Sequence, residues 1–219
     1  MKTFVLDIET KPNQELVDLF NAGIKAPKTY KDPEKIEAYI MEKMAENVKG
    51  MSLDVDFCDI KCICLKEDDD PAKIVSLDYL IDKLYDQIKI SAESGDEFKR
   101  RHFFNLVTFN GKKFDLPVII RAIVRNFNSE GINAHRDMMV AKALKQFTRR
   151  YDYTTHVDLI ELIGDGEYKS LDKYSSIYLN WPKKEIDFET CSQEELEAHC
   201  VDDVEMSAKM FDLFKILIY

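Results

Sequence analysis

Lys2-Thr3-Phe4-Val5-Leu6-Asp7-Ile8-Glu9-Thr10-Lys11-Pro12 is the stretch that sets the reading of the chain. Over residues 2–8, Phe4, Leu6 and Ile8 alternate with Thr3, Val5 and Asp7, the two-residue period of a β-strand, and Pro12 marks the exit. The run is short and mostly apolar, which predicts a central strand. Residues 11–58 then read as a helical insertion: Asp32 caps a helix with Pro33 in its first position, Ile36, Tyr39, Ile40 and Met44 share one face, and Gly50 closes it. Alternation returns over 60–65 and, after Asp68-Asp69-Asp70-Pro71, over 74–77, predicting a hairpin that feeds a helix carrying Leu80, Leu84 and Ile88. A fourth strand over 103–109 stops at Asn110-Gly111. Leu116, Ile119, Ile120 and Ile123 then recur at helical spacing over 115–126, with Pro117 tolerable only in a first turn. A helix over 137–147, a fifth strand over 153–157 and a last helix opened by the capping box of Ser192 and Glu195 complete the pattern. The expected fold is α/β, a mixed five-stranded sheet flanked by helices, in one domain spanning 1–219.

Composition bounds the function classes. With 219 residues, 45% hydrophobic, seven Gly and six Pro, the chain can bury a core and is neither a solenoid nor largely disordered. No apolar stretch is long enough for a signal peptide or a membrane span, so a soluble, cytoplasmic protein is expected. The five cysteines (58, 62, 64, 191 and 200) form no C-x-x-C pair, so they read as reduced, mostly buried thiols rather than a disulfide framework or a zinc site. The net charge of −10 argues superficially against a polyanionic partner. Residues 99–150, however, carry twelve Lys and Arg against Asp115, Glu130 and Asp137, so one region is strongly basic. Such asymmetry suits a protein with one face on a polyanion; a solvated helix pair reads equally well.

Three places offer clustered acids. Asp7 and Glu9 lie two apart at the end of a strand, where alternate residues share a face and the carboxyl end of a central strand is a ligand site in open sheets. Asp115 opens a helix after Asn110-Gly111-Lys112-Lys113-Phe114, where it could equally serve as an N-cap. On the last helix His199 and Asp203, four apart, share a face that continues into Met206 and Met210. An exposed ion pair between them is the ordinary alternative, and Asp202 points about 100° away.

Asp-Ile-Glu-Thr at 7–10, Phe-Asn-Gly-x-x-Phe-Asp-Leu-Pro at 109–117 and His-Cys-x-x-Asp-Val at 199–204 resemble the three motifs of the DEDD 3′-5′ exonuclease superfamily. In particular they resemble the predicted exonucleases similar to the proofreading domain of family B DNA polymerases. Tyr30-Lys31-Asp32-Pro33, His156-Val157-Asp158-Leu159 and Ser170-Leu171-Asp172 extend the similarity over most of the chain.

The resemblance implies a ribonuclease H-like domain in which Asp7, Glu9, Asp115 and Asp203 hold two ions, Mg²⁺ or Mn²⁺, and hydrolyse the terminal phosphodiester of a 3′ end. Hard oxygen ligands agree with those metals, and a cation pair can stabilise both attacking and leaving oxygens at phosphorus. By similarity, Asp7 bridges the ions, Glu9 and Asp203 complete the one that activates water, and Asp115 serves the other. This sequence departs from the superfamily at His199. One subgroup places Tyr four residues before the last Asp and another places His five before it; here a His stands at the Tyr-type spacing, where a neutral imidazole could orient or deprotonate the water. The implied substrate is single-stranded DNA or a frayed DNA 3′ end, with RNA the alternative and replication or repair proteins as possible partners. Thr10, Asn110, Lys112, Lys113 and Phe114 are the candidate nucleic-acid contacts, with Arg121, Arg125, Arg149 and Arg150 along the backbone and Tyr151 and Tyr153 under bases.

Overall fold

The computed structural model describes residues 2–93, 104–150, 152–164, 167–182, 186–188 and 190–218. Lys99, Arg100 and Arg101 of the basic stretch and Tyr151, a candidate for base stacking, lie outside them.

Five strands form one sheet in the order β3-β2-β1-β4-β5: β1 Thr3–Pro12, β2 Cys58–Glu67, β3 Lys73–Val75, β4 Asn105–Thr108 and β5 His156–Asp158. β1 and β4 run parallel with Val5 opposite Val107, and β4 and β5 run parallel with Val107 opposite Val157. β2 and β3 are antiparallel, so the sheet is mixed. The helices are α1 Val17–Asn21, α2 Pro33–Met51, α3 Leu77–Glu93, α4 Asp115–Asn126, α5 Ala134–Phe147, α6 Leu159–Gly164, α7 Leu171–Leu179 and α8 Gln193–Phe214. This is the α/β architecture expected of a ribonuclease H-like domain.

The pleat sorts the sheet into two cores. Val5, Val107 and Val157, aligned across three strands, pack with Cys62, Cys64 and Leu159 against Leu196, Cys200, Val204 and Phe211 of α8. Phe4, Leu6, Leu106, Ile63 and Leu65 occupy alternate positions and are fully buried. Phe4 meets Phe104 edge-on at 5.4 Å, and Phe104 meets Phe147 of α5 at 5.2 Å. α3 and α4 both pack on α5. The same alternation carries Asp7 and Glu9 to the α8 side of β1.

The chain forms two compact units, residues 1–9 with 62–219, and residues 10–61. The smaller one holds α1 and α2. As read from the sequence, Asp32 caps α2, its side chain accepting from the Glu34 N–H, with Pro33 in the first turn. Phe20 and Phe57 meet at 4.8 Å, and the Asn13 side chain donates to Asp59 at 2.9 Å.

Several boundaries differ from the sequence reading, and two of them lie next to the site. β1 continues to Pro12 instead of ending at 8. The fifth strand starts at His156 instead of 153, because the Asp152 carboxylate bonds the Thr154 N–H and hydroxyl and holds the chain in a turn. Among the described residues, no helix is long and apolar enough to cross a membrane.

Candidate metal centre

The carboxyl ends of β1, β4 and β5 lie side by side, and the acids converge there. Asp7 and Glu9 come from β1 and are half-buried. α8 supplies His199 and Asp203, each 7% exposed, because positions 196, 199, 200, 203, 204 and 207 form the face that this helix buries. A carboxylate oxygen of Glu9, a ring nitrogen of His199 and a carboxylate oxygen of Asp203 lie within 4.8 Å of one another. His199 Nε2 is 4.0 Å from both Glu9 Oε1 and Asp203 Oδ2, beyond hydrogen-bond length. Asp202 is half-buried and belongs to no such cluster among the described residues.

Asp115 arrives by a different route. Leaving β4, Asn110 takes a left-handed backbone conformation with φ of 65°, and its N–H donates to Asp158 Oδ1 at 2.7 Å. The Lys112 N–H donates to Asp158 Oδ2 at 2.9 Å, so one carboxylate of β5 holds both ends of the turn. A glycine is required at 111 because a Cβ there would sit 2.3 Å from Thr108 Oγ1. That hydroxyl is itself committed: it accepts from the Gly111 N–H at 3.2 Å and meets His156 Nε2 at 2.8 Å, while His156 Nδ1 reaches the Phe147 carbonyl oxygen at 2.8 Å. Since only an N–H can satisfy that carbonyl, the buried imidazole is the neutral Nδ1–H tautomer, and Thr108 donates to Nε2.

The turn delivers Asp115 as the first residue of α4, 4% exposed. It is not the helix cap; Phe114 holds that position without a side-chain capping bond. Asp115 Oδ2 is buried with no hydrogen-bond partner among the described residues. Burial raises its pKa well above the ordinary carboxylate value, and the charges of Asp7, Asp158 and Glu9 raise it further. Burial also raises Asp158, against the lowering effect of its two backbone donors.

A buried carboxylate oxygen beside three other acids is a costly arrangement for water-free protein and a favourable one for a cation. The donors are all hard oxygens apart from the imidazole, which suits Mg²⁺ or Mn²⁺. The residues present therefore fit a divalent metal.

Lys112 requires a correction. Its side chain is 1% exposed, with Nζ 2.9 Å from the buried Glu161 carboxylate and 3.2 Å from the Asp152 carbonyl oxygen. It braces α6 against the turn and cannot reach a phosphate. Tyr153 is half-buried beneath that ammonium, its ring centroid 5.0 Å away. Lys113 is exposed, over the Tyr168 ring at 5.0 Å, and Phe114 is half-buried. In the smaller unit, the Thr10 hydroxyl donates to the Ser52 carbonyl oxygen. Arg121 is half-buried and donates to the Pro117 carbonyl oxygen at 3.3 Å, whereas Arg125, Arg149 and Arg150 are exposed. Arg136, counted in the basic stretch, is spent on Asp78, Asp82 and Asp137.

Two neighbours of the centre were not among the candidate site residues read from the sequence. Phe188, 54% exposed, stands edge-on to His199 at 5.4 Å. Cys200 brings its sulfur to 3.5 Å from Asp7 Oδ2. Only the helical phase of 196, 200 and 204 hinted that Cys200 faces the sheet.

Residues 54–198 match the model of a family described as predicted 3′-5′ exonuclease related to the exonuclease domain of PolB. The match covers about two-thirds of the chain, runs from β2 through α7 and includes Asp115; it begins after β1 and ends one residue before His199. No curated protein matches the chain. With Asp115 and its turn inside the matched segment, the chain belongs to this family of predicted 3′-5′ exonucleases related to the PolB exonuclease domain.

Proposed function

We propose that the chain is a metal-dependent 3′-5′ exonuclease that removes terminal nucleotides from single-stranded DNA or frayed 3′ ends, with Asp7, Glu9, Asp115 and Asp203 as ligands of two Mg²⁺ or Mn²⁺ ions. The observation that carries the reading is Asp115: a buried carboxylate oxygen without a hydrogen-bond partner among the described residues, under the repulsion of Asp7 and Glu9. Bound divalent cations supply Lewis-acid stabilisation of the attacking and leaving oxygens at phosphorus.

The protein's own groups do the rest. His199 Nε2 lies 4.0 Å from both Glu9 Oε1 and Asp203 Oδ2, beside the proposed ligands, where an imidazole can orient the attacking water and accept its proton. The Asn110 turn holds Asp115 at the end of β4, while α8 holds His199 and Asp203 on one helical face, so the proposed ligands are positioned before substrate arrives. Lys113, Arg149 and Arg150 are exposed cations that would meet the phosphate backbone, a contact that needs no base sequence. We place the enzyme in the cytoplasm, as one domain whose residues 11–58 form an insertion.

The test uses 5′-labelled DNA and RNA oligonucleotides of matched sequence with Mg²⁺, Mn²⁺ or EDTA. Stepwise shortening from the 3′ end that stops with chelator is expected, with DNA the better substrate. Faster shortening of RNA would make the enzyme an exoribonuclease. Metal-insensitive binding without shortening would overturn the enzymatic reading.

A further inference from the structure

Helices α4 and α5 leave a groove of about 300 Å³ between them, floored by Ile123, Val124, Phe127, Met138 and Ala141. Val124 is 63% exposed, Phe127 41% and Met138 37%, although α4 already buries Leu116, Val118 and Ile119, and α5 buries Val140, Leu144 and Phe147. Each helix thus carries a second apolar strip beside the one it gives to the core. Large apolar side chains exposed next to one another mark a surface that another chain covers.

Charge decides what covers it. Positions 138, 141, 142 and 145 share one face of α5, so the apolar strip runs directly into Lys142 and Lys145, both exposed. Among the described residues, Asp137 is the one acid lining the groove, and its carboxylate already accepts from Arg136 Nε at 2.8 Å. The groove's remaining charges are both positive, on a chain whose net charge is −10. A cavity of about 390 Å³ shares Ile123 and Asp137 with the groove and adds Asn126, Asn128 and Asn133, which lengthens the concave surface. A phosphate backbone would use the two lysines and leave the apolar floor uncovered, so a nucleic acid fits it poorly.

We propose that the α4–α5 groove docks an acidic amphipathic segment of a partner protein, with its apolar side chains on the floor and its Asp or Glu residues against Lys142 and Lys145. An amphipathic helix laid in an apolar groove meets both demands at once. Asp115 is the first residue of α4, so Ile123 in the groove lies about 12 Å further along the same helix. A docked partner is therefore held near the proposed metal centre without filling it. What this does for the nuclease rests on the function proposed above; the docking does not.

The probe is a panel of synthetic helical peptides with Leu or Phe at i, i+3, i+4 and i+7 and several Asp or Glu residues at one end. Each is titrated into protein carrying ¹³C-methyl methionine, where the Met138 resonance, assigned with Met138→Leu, reports occupation without any nuclease assay. An acidic peptide should shift that resonance saturably, and the same peptide with Lys in place of Asp and Glu should bind at least about fivefold more weakly. Lys142→Glu combined with Lys145→Glu should reverse that preference, with the fold verified by circular dichroism, while the exposed Lys173→Glu on α7 leaves it unchanged. No Met138 shift with any acidic peptide, equal binding of acidic and basic peptides, or a doubly reversed variant that keeps the wild-type preference would overturn the proposal. A shift caused by an oligonucleotide but not by peptide would give the groove to nucleic acid, and one caused by raising the protein concentration alone would give it to a second copy; either result overturns the partner segment. Inactivity of the wild type in Mg²⁺ and Mn²⁺ would count against the function alone, with the Met138 resonance still deciding the docking.

Discussion

Asp115 and His156 are both buried, and their linkage to pH has opposite signs. The folded-state pKa of Asp115 lies above its ordinary value of 3.8, so the metal-free folded protein retains a proton that the unfolded chain has lost. The stability this contributes is fully present below the unfolded value and disappears as pH rises through the folded one. In EDTA, Asp115→Asn should therefore gain stability over the wild type progressively above about pH 4, and the wild type should recover the difference with Mn²⁺ while the variant does not. Thermal unfolding against pH, with and without metal, checks this; equal responses to Mn²⁺ would contradict it. Burial lowers His156 from 6.5 to about 3, so its contribution is present above the unfolded value and is lost as pH falls from 6.5 towards 3. Between about pH 7.5 and about pH 5 this amounts to about 2 kcal/mol, which His156→Gln should not show in urea unfolding. The acids of the three motifs were legible in the sequence because strand and helix periods put Asp7 with Glu9 and His199 with Asp203. His156 was not: its role depends on Phe147 and Thr108, which spacing alone does not bring together.

At the scale of elements, the β4–α4 turn is tied to β4, to β5 and to α6 through short bonds. Lys112 and Lys113 are adjacent and equally charged, yet one is enclosed and the other exposed. Lys112→Met removes the ammonium that neutralises the buried Glu161 carboxylate and should cost about 3 to 5 kcal/mol. Lys113→Gln should change stability by less than about 0.5 kcal/mol but flatten the salt dependence of oligonucleotide binding. Chemical denaturation and binding across a salt series distinguish them, and the reverse assignment would contradict the placement of these side chains. Gly111 and the positive φ of Asn110 were readable as turn chemistry. The pairing of Lys112 with Glu161 was not, since the partners are 49 residues apart and meet only once β5 lies beside β4. Likewise β5 was misplaced by the Tyr153 alternation, which an Asp152 turn overrides, and α6 and α7 carried too few periods to be read.

For the molecule as a whole, acids from β1, α4 and α8 are brought to one edge of the sheet because parallel strands end there and α8 packs across it. The order of elements and the insertion after the first strand follow from hydrophobic period and turn residues. The basic stretch was overestimated as a nucleic-acid surface, because Arg136 and Lys112 are consumed by internal ion pairs. The convergence of acids is tested most directly by counting bound Mn²⁺ with electron paramagnetic resonance on the metal-free protein. The wild type should bind two ions, Asp115→Asn and Asp203→Asn fewer, and Asp202→Asn the full number. No binding by the wild type, or loss with Asp202→Asn but not with Asp203→Asn, would contradict a metal centre built from these four carboxylates.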